Sequence, residues 1–148
     1  MANMNSKPSI KLYPLPTDMA LYIHIPFCQT KCPYCDFNTY AGIETLIPSY
    51  TTALTMEIYY WGALLGRPRV GTIFFGGGTP SYIPGRAIDS LLKATQSAFQ
   101  VMPGAETTME ANPGDLPGEA TLPLPQRGIN RLSIGVQSLN NSLLKVLG

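Results

Sequence analysis

Short strand-forming runs alternate with longer helical stretches along most of this 148-residue chain, and the alternation limits the folds it can adopt. The four runs are residues 21–25, 70–75, 106–111 and 131–136. They are either apolar and rich in β-branched and aromatic side chains or alternate between two faces, as strands do. Because strand–helix units repeat, we predict an α/β fold with parallel strands and right-handed crossovers.

Two long segments between these runs carry apolar residues at helical spacing. In residues 45–65 the stripe is Leu46, Tyr50, Leu54, Ile58, Trp61 and Leu65. In residues 86–102 it is Ile88, Leu91, Leu92, Thr95, Phe99 and Met102. We expect both stripes to belong to the core. A further helix is predicted to start at residues 143–147.

The segment between the third and fourth strands has a different character. Residues 116–126 contain Pro117, Pro123 and Pro125. Each proline inside a helix costs roughly 3 kcal/mol, because it lacks an N–H and its ring clashes with the preceding turn. At most a turn or two of helix is predicted there.

All three cysteines lie on one loop, directly after the first predicted strand. Cys28, Cys32 and Cys35 have the spacing C-x3-C-x2-C, and Pro26 ends the strand before them. Thiolates are the usual ligands of iron–sulfur clusters, and a four-iron cluster commonly takes four of them. Three would leave one iron open, and an open position is typical of catalytic metal sites. The spacing favours a cluster with one iron kept for a small molecule.

Three alternatives remain at this point. A disulfide framework fits poorly with an odd number of cysteines and no signal peptide. A zinc site could add His24 to the three cysteines, although this spacing is unusual for zinc. His24 is better interpreted as a hydrogen-bonded core histidine. The cysteines could also be ordinary buried thiols. Lys31 could offset negative charge on a cluster, but a solvated lysine is the preferred interpretation.

A glycine-rich loop, residues 76–81 (GGGTPS), directly follows the second strand. Glycines there let a ligand approach the backbone and can form an anion-binding nest. The loop lacks the lysine of a P-loop and the last glycine of a dinucleotide-binding fingerprint. This loop, the cysteines, Glu110 and Gln137 all follow strand ends, where barrel-type α/β proteins bind ligands.

Composition narrows the class of protein. Apolar residues make up 45% and charged residues 13%, which indicates a globular chain. A formal net charge of +1 with scattered basic residues argues against nucleic-acid binding. No apolar run is long enough for a membrane span. Three unpaired cysteines and no export signal predict a cytoplasmic protein. Residues 1–20 are predicted to be an extended lead-in.

The string LYIHIPFCQTKCPYCDFN, with Tyr34 before the last cysteine, resembles the radical S-adenosylmethionine (SAM) superfamily. It is similar to the branch that holds oxygen-independent coproporphyrinogen III oxidase and the haem chaperone HemW. The strings GGGTPS, EANPGD and GINRLSIGVQS extend the resemblance over residues 21–148. It implies the N-terminal portion of a partial (β/α)6 barrel, with about four of the six units. It also implies a [4Fe-4S] cluster on Cys28, Cys32 and Cys35, whose open iron binds SAM and whose reduced form generates a 5′-deoxyadenosyl radical.

The resemblance also assigns roles to the remaining site residues. Tyr22 would lie near the methionine part of SAM and Phe37 near its adenine. Gly77, Gly78 and Thr79 would meet the amino end. Glu110 would bond a hydroxyl or amino group of SAM, and Gln137 the ribose; without the resemblance, Gln137 reads as a neighbour of a helix cap.

The oxidases carry a further cysteine two residues after the last of the three, as C-G-C, whereas this chain has Cys35-Asp36-Phe37. This favours the HemW type, which binds haem and delivers it to an acceptor protein. Decarboxylation of coproporphyrinogen III is the alternative, so enzymatic activity is left open, and a zinc-binding or inactive fragment is an alternative of another class. In relatives an arginine that pairs with the SAM carboxylate follows the string LLKVLG. Since this chain stops there, we expect weak SAM binding and a tendency to aggregate.

Overall fold

The computed structural model describes residues 18–115 and 124–147, and its centre is one sheet of four parallel strands. The strands are β1 (Met19–Ile25), β2 (Arg69–Gly77), β3 (Gln100–Ala111) and β4 (Arg131–Ile134), in that spatial order. The four predicted strands, their parallel pairing and the α/β class are confirmed. β1 begins two residues before the predicted start of the strand.

Among the described residues, four helices accompany the sheet: α1 (Ile47–Leu64), α2 (Gly85–Ala98), α3 (Leu124–Arg127) and α4 (Asn141–Leu147). Single 3-10 turns precede α1 at Glu44–Leu46 and α2 at Pro80–Tyr82. Most of the proline-rich segment lies outside the described residues. Its described end, α3, is one helical turn, as the proline content predicts. No helix in the described part of the chain is long and apolar enough to cross a bilayer.

The two faces of the sheet differ in chemistry. Alternate residues of β1, β2 and β3 are buried against α1 and α2; these include Ile23, Ile25, Ile73, Phe75 and Met109. The residues between them point to the opposite, open face, where Tyr22 is 60% exposed and stacks on Phe74. α1 and α2 meet closely at Gly62, where an added Cβ would lie 2.5 Å from the Ala98 carbonyl oxygen.

The predicted end of the second helix, at Met102, is wrong. α2 ends at Ala98, Phe99 is extended, and β3 begins at Gln100 by pairing with Arg69. The apolar spacing continued through Phe99 and Met102, but pairing with a neighbouring strand decides the conformation of that stretch. The pairing register then shifts, so that Val101 pairs with Val70 and Glu106 with Thr72.

The predicted core stripe of α1 is only partly correct. Ile58 is buried, and Tyr50 and Leu54 pack at the edge of the core. Leu46 is 53% exposed in the turn before α1, and Trp61 is 40% exposed with its indole N–H on Glu57. The close approach of α1 to α2 at Gly62 turns Trp61 toward solvent.

Candidate functional site

The loops that follow the four strands line a single cleft of about 580 Å³. It contains all but one of the residues that the sequence singled out: Cys28, Cys32, Cys35, Phe37, Gly77, Gly78, Thr79, Glu110 and Gln137. The strands are parallel, so their carboxyl ends meet at one edge of the sheet. Tyr22 is the exception, because it lies on the open face of the sheet and does not line the cleft.

The cysteine loop is closed at its base by backbone hydrogen bonds. The Tyr40 amide donates to the Pro26 carbonyl at 2.8 Å, and the Cys28 amide donates to the Tyr40 carbonyl at 2.9 Å. Phe27 between them is buried, with its ring edge-on to Tyr50 at 5.3 Å between centroids. This anchoring holds a 13-residue loop by its two ends, Cys28 and Tyr40.

The three thiols are free and half-buried. Thr79 Oγ1 lies 3.6 Å from Cys28 Sγ, and Thr39 Oγ1 lies 3.9 Å from Cys35 Sγ. The pKa of Tyr34 is raised above its usual value, chiefly by a hydrogen bond to Cys32 and also by desolvation and the neighbouring thiols. Two of the three sulfur atoms, those of Cys28 and Cys35, therefore have a threonine hydroxyl nearby.

The backbone amides of the glycine-rich loop are already used within the protein. Gly78 N–H donates to the Ile25 carbonyl at 2.7 Å, Thr79 N–H to the Phe27 carbonyl at 2.8 Å, and Gly77 N–H to Glu110 Oε2 at 3.2 Å. These three donors are not available to an anion-binding nest of the kind considered from the sequence. The carbonyl and hydroxyl oxygens of the loop can accept hydrogen bonds from a ligand.

Two glycines of this loop have no room for a side chain. A Cβ on Gly78 would lie 2.7 Å from the Phe27 carbonyl oxygen and 3.0 Å from Cys28 Sγ. Gly77 has φ of 116°, which favours glycine, and a Cβ there would lie 2.5 Å from the His24 ring. The loop after β2 is thus pressed against the cysteine loop.

Glu110 and Gln137 approach the cleft from β3 and from the end of β4. Glu110 contacts the glycine loop through one carboxylate oxygen. Partial burial, and then the charge of Glu110, raises the pKa of Tyr22. Gln137 is exposed with φ of 61°, after β4 ends two residues earlier than predicted.

Sequence reasoning missed Thr39 and Asn112 near the sulfur atoms and treated Lys31 as a solvated lysine. Lys31 is exposed, as predicted, but its ammonium also donates to the Phe37 carbonyl at 2.6 Å and to Thr39 Oγ1 at 2.9 Å. Thr39 is buried, and Asn112 donates to Thr79 Oγ1 at 3.4 Å. Their positions in the sequence could have indicated that they lie near the cysteines. Lys31 and Thr39 are in the cysteine loop, and Asn112 directly follows β3.

His24, which the zinc alternative would add to the three cysteines, makes other contacts. Among residues 18–115 and 124–147, no three Cys, His, Asp or Glu side chains, the three cysteines included, lie close enough to hold one single metal ion. His24 Nε2 lies 2.9 Å from the Asn38 carbonyl oxygen, and Nδ1 lies 3.4 Å from the Tyr22 hydroxyl. His24 is therefore a hydrogen-bonded histidine, as predicted, although it is only half-buried.

The donor set fits an iron–sulfur cluster. Three free thiols open onto one cleft, and hydroxyl groups lie against the sulfur atoms, an environment that suits cluster thiolates. Cys28, Cys32 and Cys35 would hold the group, and the residues across the cleft would face it.

Residues 22–148 match the radical SAM superfamily. The heme chaperone HemW of Escherichia coli is 43% identical over 141 residues, which cover 94% of this chain and 36% of that protein. The mouse mitochondrial protein "Radical S-adenosyl methionine domain-containing protein 1" is 39% identical over 134 residues, which cover 89% of this chain and 30% of that protein.

The fold is similar to a solved structure, coproporphyrinogen III oxidase (HemN) from Escherichia coli, described as a radical SAM enzyme. The TM-score is 0.83 at 32% identity, over 91% of this chain and 31% of that one. The open four-stranded sheet is therefore the partial radical SAM barrel that the sequence predicts. The chain spans about a third of the length of these relatives.

Proposed function

The chain belongs to the radical SAM superfamily, and we propose that it carries the N-terminal portion of the core domain of a HemW-type haem chaperone. Such a protein binds a [4Fe-4S] cluster, SAM and haem, and delivers haem to an acceptor protein. The observation that supports this most strongly is the single cleft in which three free thiols meet the loops after all four strands.

We assign the cluster to Cys28, Cys32 and Cys35, with one iron left for the amino and carboxylate groups of SAM. One-electron reduction is the chemistry that such a cluster supplies when bound. The glycine-rich loop suits the amino end of SAM, because its free acceptors are oxygens and an ammonium group only donates.

The rest of the cleft is assigned to the other parts of SAM. Phe37 is 72% exposed at the cleft and can stack on the adenine. Glu110 has one carboxylate oxygen on the Gly77 amide, and the other is left for a hydroxyl or amino group of SAM. Gln137 is assigned to the ribose and Tyr22, on the neighbouring open face, to the methionine part.

The HemW type is preferred to the oxidase because this chain has Cys35-Asp36-Phe37 in place of the oxidase pattern C-G-C. Curated HemW proteins from several bacteria are 37–43% identical to this chain. Likeness to the solved oxidase structure keeps coproporphyrinogen III decarboxylation as the second candidate. Free thiols are typical of a reducing compartment, and we assign the protein to the cytoplasm.

Anaerobic reconstitution of the full chain with iron and sulfide tests the cluster. We expect about four irons per chain, and a sharp loss of iron in Cys28→Ser, Cys32→Ser and Cys35→Ser. Ser90→Ala on the exposed side of α2 is the matched control. Unchanged iron in one cysteine variant would remove that residue from the ligand set, and stoichiometric zinc in place of iron would reject the cluster.

Haem binding is tested separately on the reconstituted chain by absorbance titration. A haem chaperone is expected to show a saturable change in the main haem absorbance band. A titration that stays linear, like haem added to buffer, would reject the chaperone assignment while leaving the cluster intact.

A further inference from the structure

Two of the three cysteine sulfurs face a buried threonine hydroxyl. Thr79, after β2, is 7% exposed and reaches Cys28, whereas Thr39, within the cysteine loop, is 5% exposed and reaches Cys35. The two threonines come from different loops, so the arrangement is not a repeat of one local turn. A buried hydroxyl needs partners, and here the sulfur is one of them.

A second group orients each hydroxyl. The Lys31 ammonium can only donate, so its 2.9 Å bond to Thr39 Oγ1 uses the hydroxyl as an acceptor. The hydroxyl hydrogen of Thr39 is then left for Cys35 Sγ. The Asn112 amide donates to Thr79 Oγ1 in the same way and leaves that hydrogen for Cys28 Sγ.

We propose that Thr39 and Thr79 donate hydrogen bonds to the cysteine sulfurs in order to raise the reduction potential of the cluster, with Lys31 and Asn112 as positioning residues. The inference rests on the proposed function, since it concerns the group that the cysteines hold. Reduction adds negative charge that the sulfurs share, and donors aimed at them stabilise the reduced form more than the oxidised one. The cationic Lys31 acts in the same direction.

Lys31 is suited to orienting Thr39 because two hydrogen bonds hold its ammonium group in place. Besides Thr39 it binds the Phe37 carbonyl at 2.6 Å, so an exposed and otherwise mobile side chain is held at two points across the loop. Its charge therefore stays near the cysteines.

The test is a potentiometric titration of the anaerobically reconstituted full chain, followed by electron paramagnetic resonance. Thr39→Val and Thr79→Val keep the shape and remove the hydroxyl. At a fixed potential each is expected to lower the ratio of reduced to oxidised cluster roughly three- to tenfold, tenfold being about 59 mV for one electron. Thr39→Ser and Thr79→Ser restore the hydroxyl and should return the wild-type potential. Thr52→Val, an exposed position on α1, is the control.

Lys31→Met should lower the potential, and Lys31→Met with Thr39→Val should shift it by less than the sum of the single variants, because the lysine acts partly through the threonine. Iron content is measured throughout. Wild-type potentials in valine variants that keep their iron, or equal shifts in the serine and valine variants, would overturn the inference. If Thr39→Val loses its iron, the reduction potential of Lys31→Met is used in its place. An unchanged potential in Lys31→Met would then overturn the inference. A wild-type chain that assembles no cluster would instead overturn the proposed function.

Discussion

The Cys28 sulfur lies 3.6 Å from the Thr79 hydroxyl, although 51 residues separate them in the chain. Pairing of β1 with β2 explains this proximity, since Ile25 is opposite Gly77 and the following loops leave the sheet side by side. The same proximity leaves no space for a side chain at Gly78, where the glycine-rich loop meets the cysteine loop. The position of Cys28 therefore depends on how the glycine-rich loop packs against the cysteine loop.

Gly78→Ala should lower both stability and iron content. The new Cβ would lie under 3.0 Å from the Phe27 and Ile25 carbonyl oxygens, which are backbone atoms and cannot move alone. Overpacking of this kind typically lowers the free energy of unfolding by roughly 1–3 kcal/mol. Urea unfolding of the chain without its cluster would measure the change. Gly71→Ala is the control, because nothing lies within 4 Å of a Cβ there. Equal stability and iron in both variants would contradict the predicted crowding.

Gly62→Ala should destabilise the protein although it improves helix propensity. Alanine is favoured over glycine by roughly 1 kcal/mol inside a helix, but the Cβ would lie 2.5 Å from the Ala98 carbonyl oxygen and 2.7 Å from its Cβ. Ala63→Gly, at the exposed neighbouring position, measures the effect of helix propensity on the free energy of unfolding without the steric contact. A rise in the free energy of unfolding of Gly62→Ala would show that α1 and α2 can separate without cost.

Phe37→Ala should weaken SAM binding while leaving stability and iron unchanged. The ring is 72% exposed and adds little to the core, whereas stacking on a base contributes about 1–3 kcal/mol, or roughly 5- to 150-fold in affinity. Calorimetry on the reconstituted protein measures the effect, with Tyr59→Ala on α1 as the exposed aromatic control. SAM affinity equal to wild type would place the adenine elsewhere.

Coproporphyrinogen III decarboxylation should be absent. This chain has Cys35-Asp36-Phe37 where the oxidases carry C-G-C, so the further cysteine of the oxidases is replaced by Phe37. The assay combines the reconstituted chain, SAM, a reductant and the porphyrinogen, and follows protoporphyrinogen IX. Product above the control without protein would replace the HemW-type assignment with the oxidase.

Strand identity, the parallel sheet and the meeting of the loops at one edge could all be predicted from the sequence. Their signals are local: β-branched runs end at Pro26 or at the glycines from Gly76, and helical spacing fills the gaps between them. Because parallel strands place their carboxyl ends together, Cys28, Gly78, Glu110 and Gln137 were expected at one cleft, and they line it. The roles of these residues toward SAM stay predictions.

Only the tertiary structure decided where local pattern gives way to contacts between distant segments. Helical spacing continued through Met102, but pairing with Arg69 and Val70 made that stretch a strand. Trp61 fitted the apolar stripe, yet the packing of Gly62 on Ala98 left it exposed. The hydroxyl of Thr79 meets Cys28 because two loops pack together, and no spacing in the sequence encodes a distance across 51 residues. Local sequence patterns thus determine the elements of this protein, while the environment of the cysteine sulfurs depends on contacts that form only when the sheet assembles.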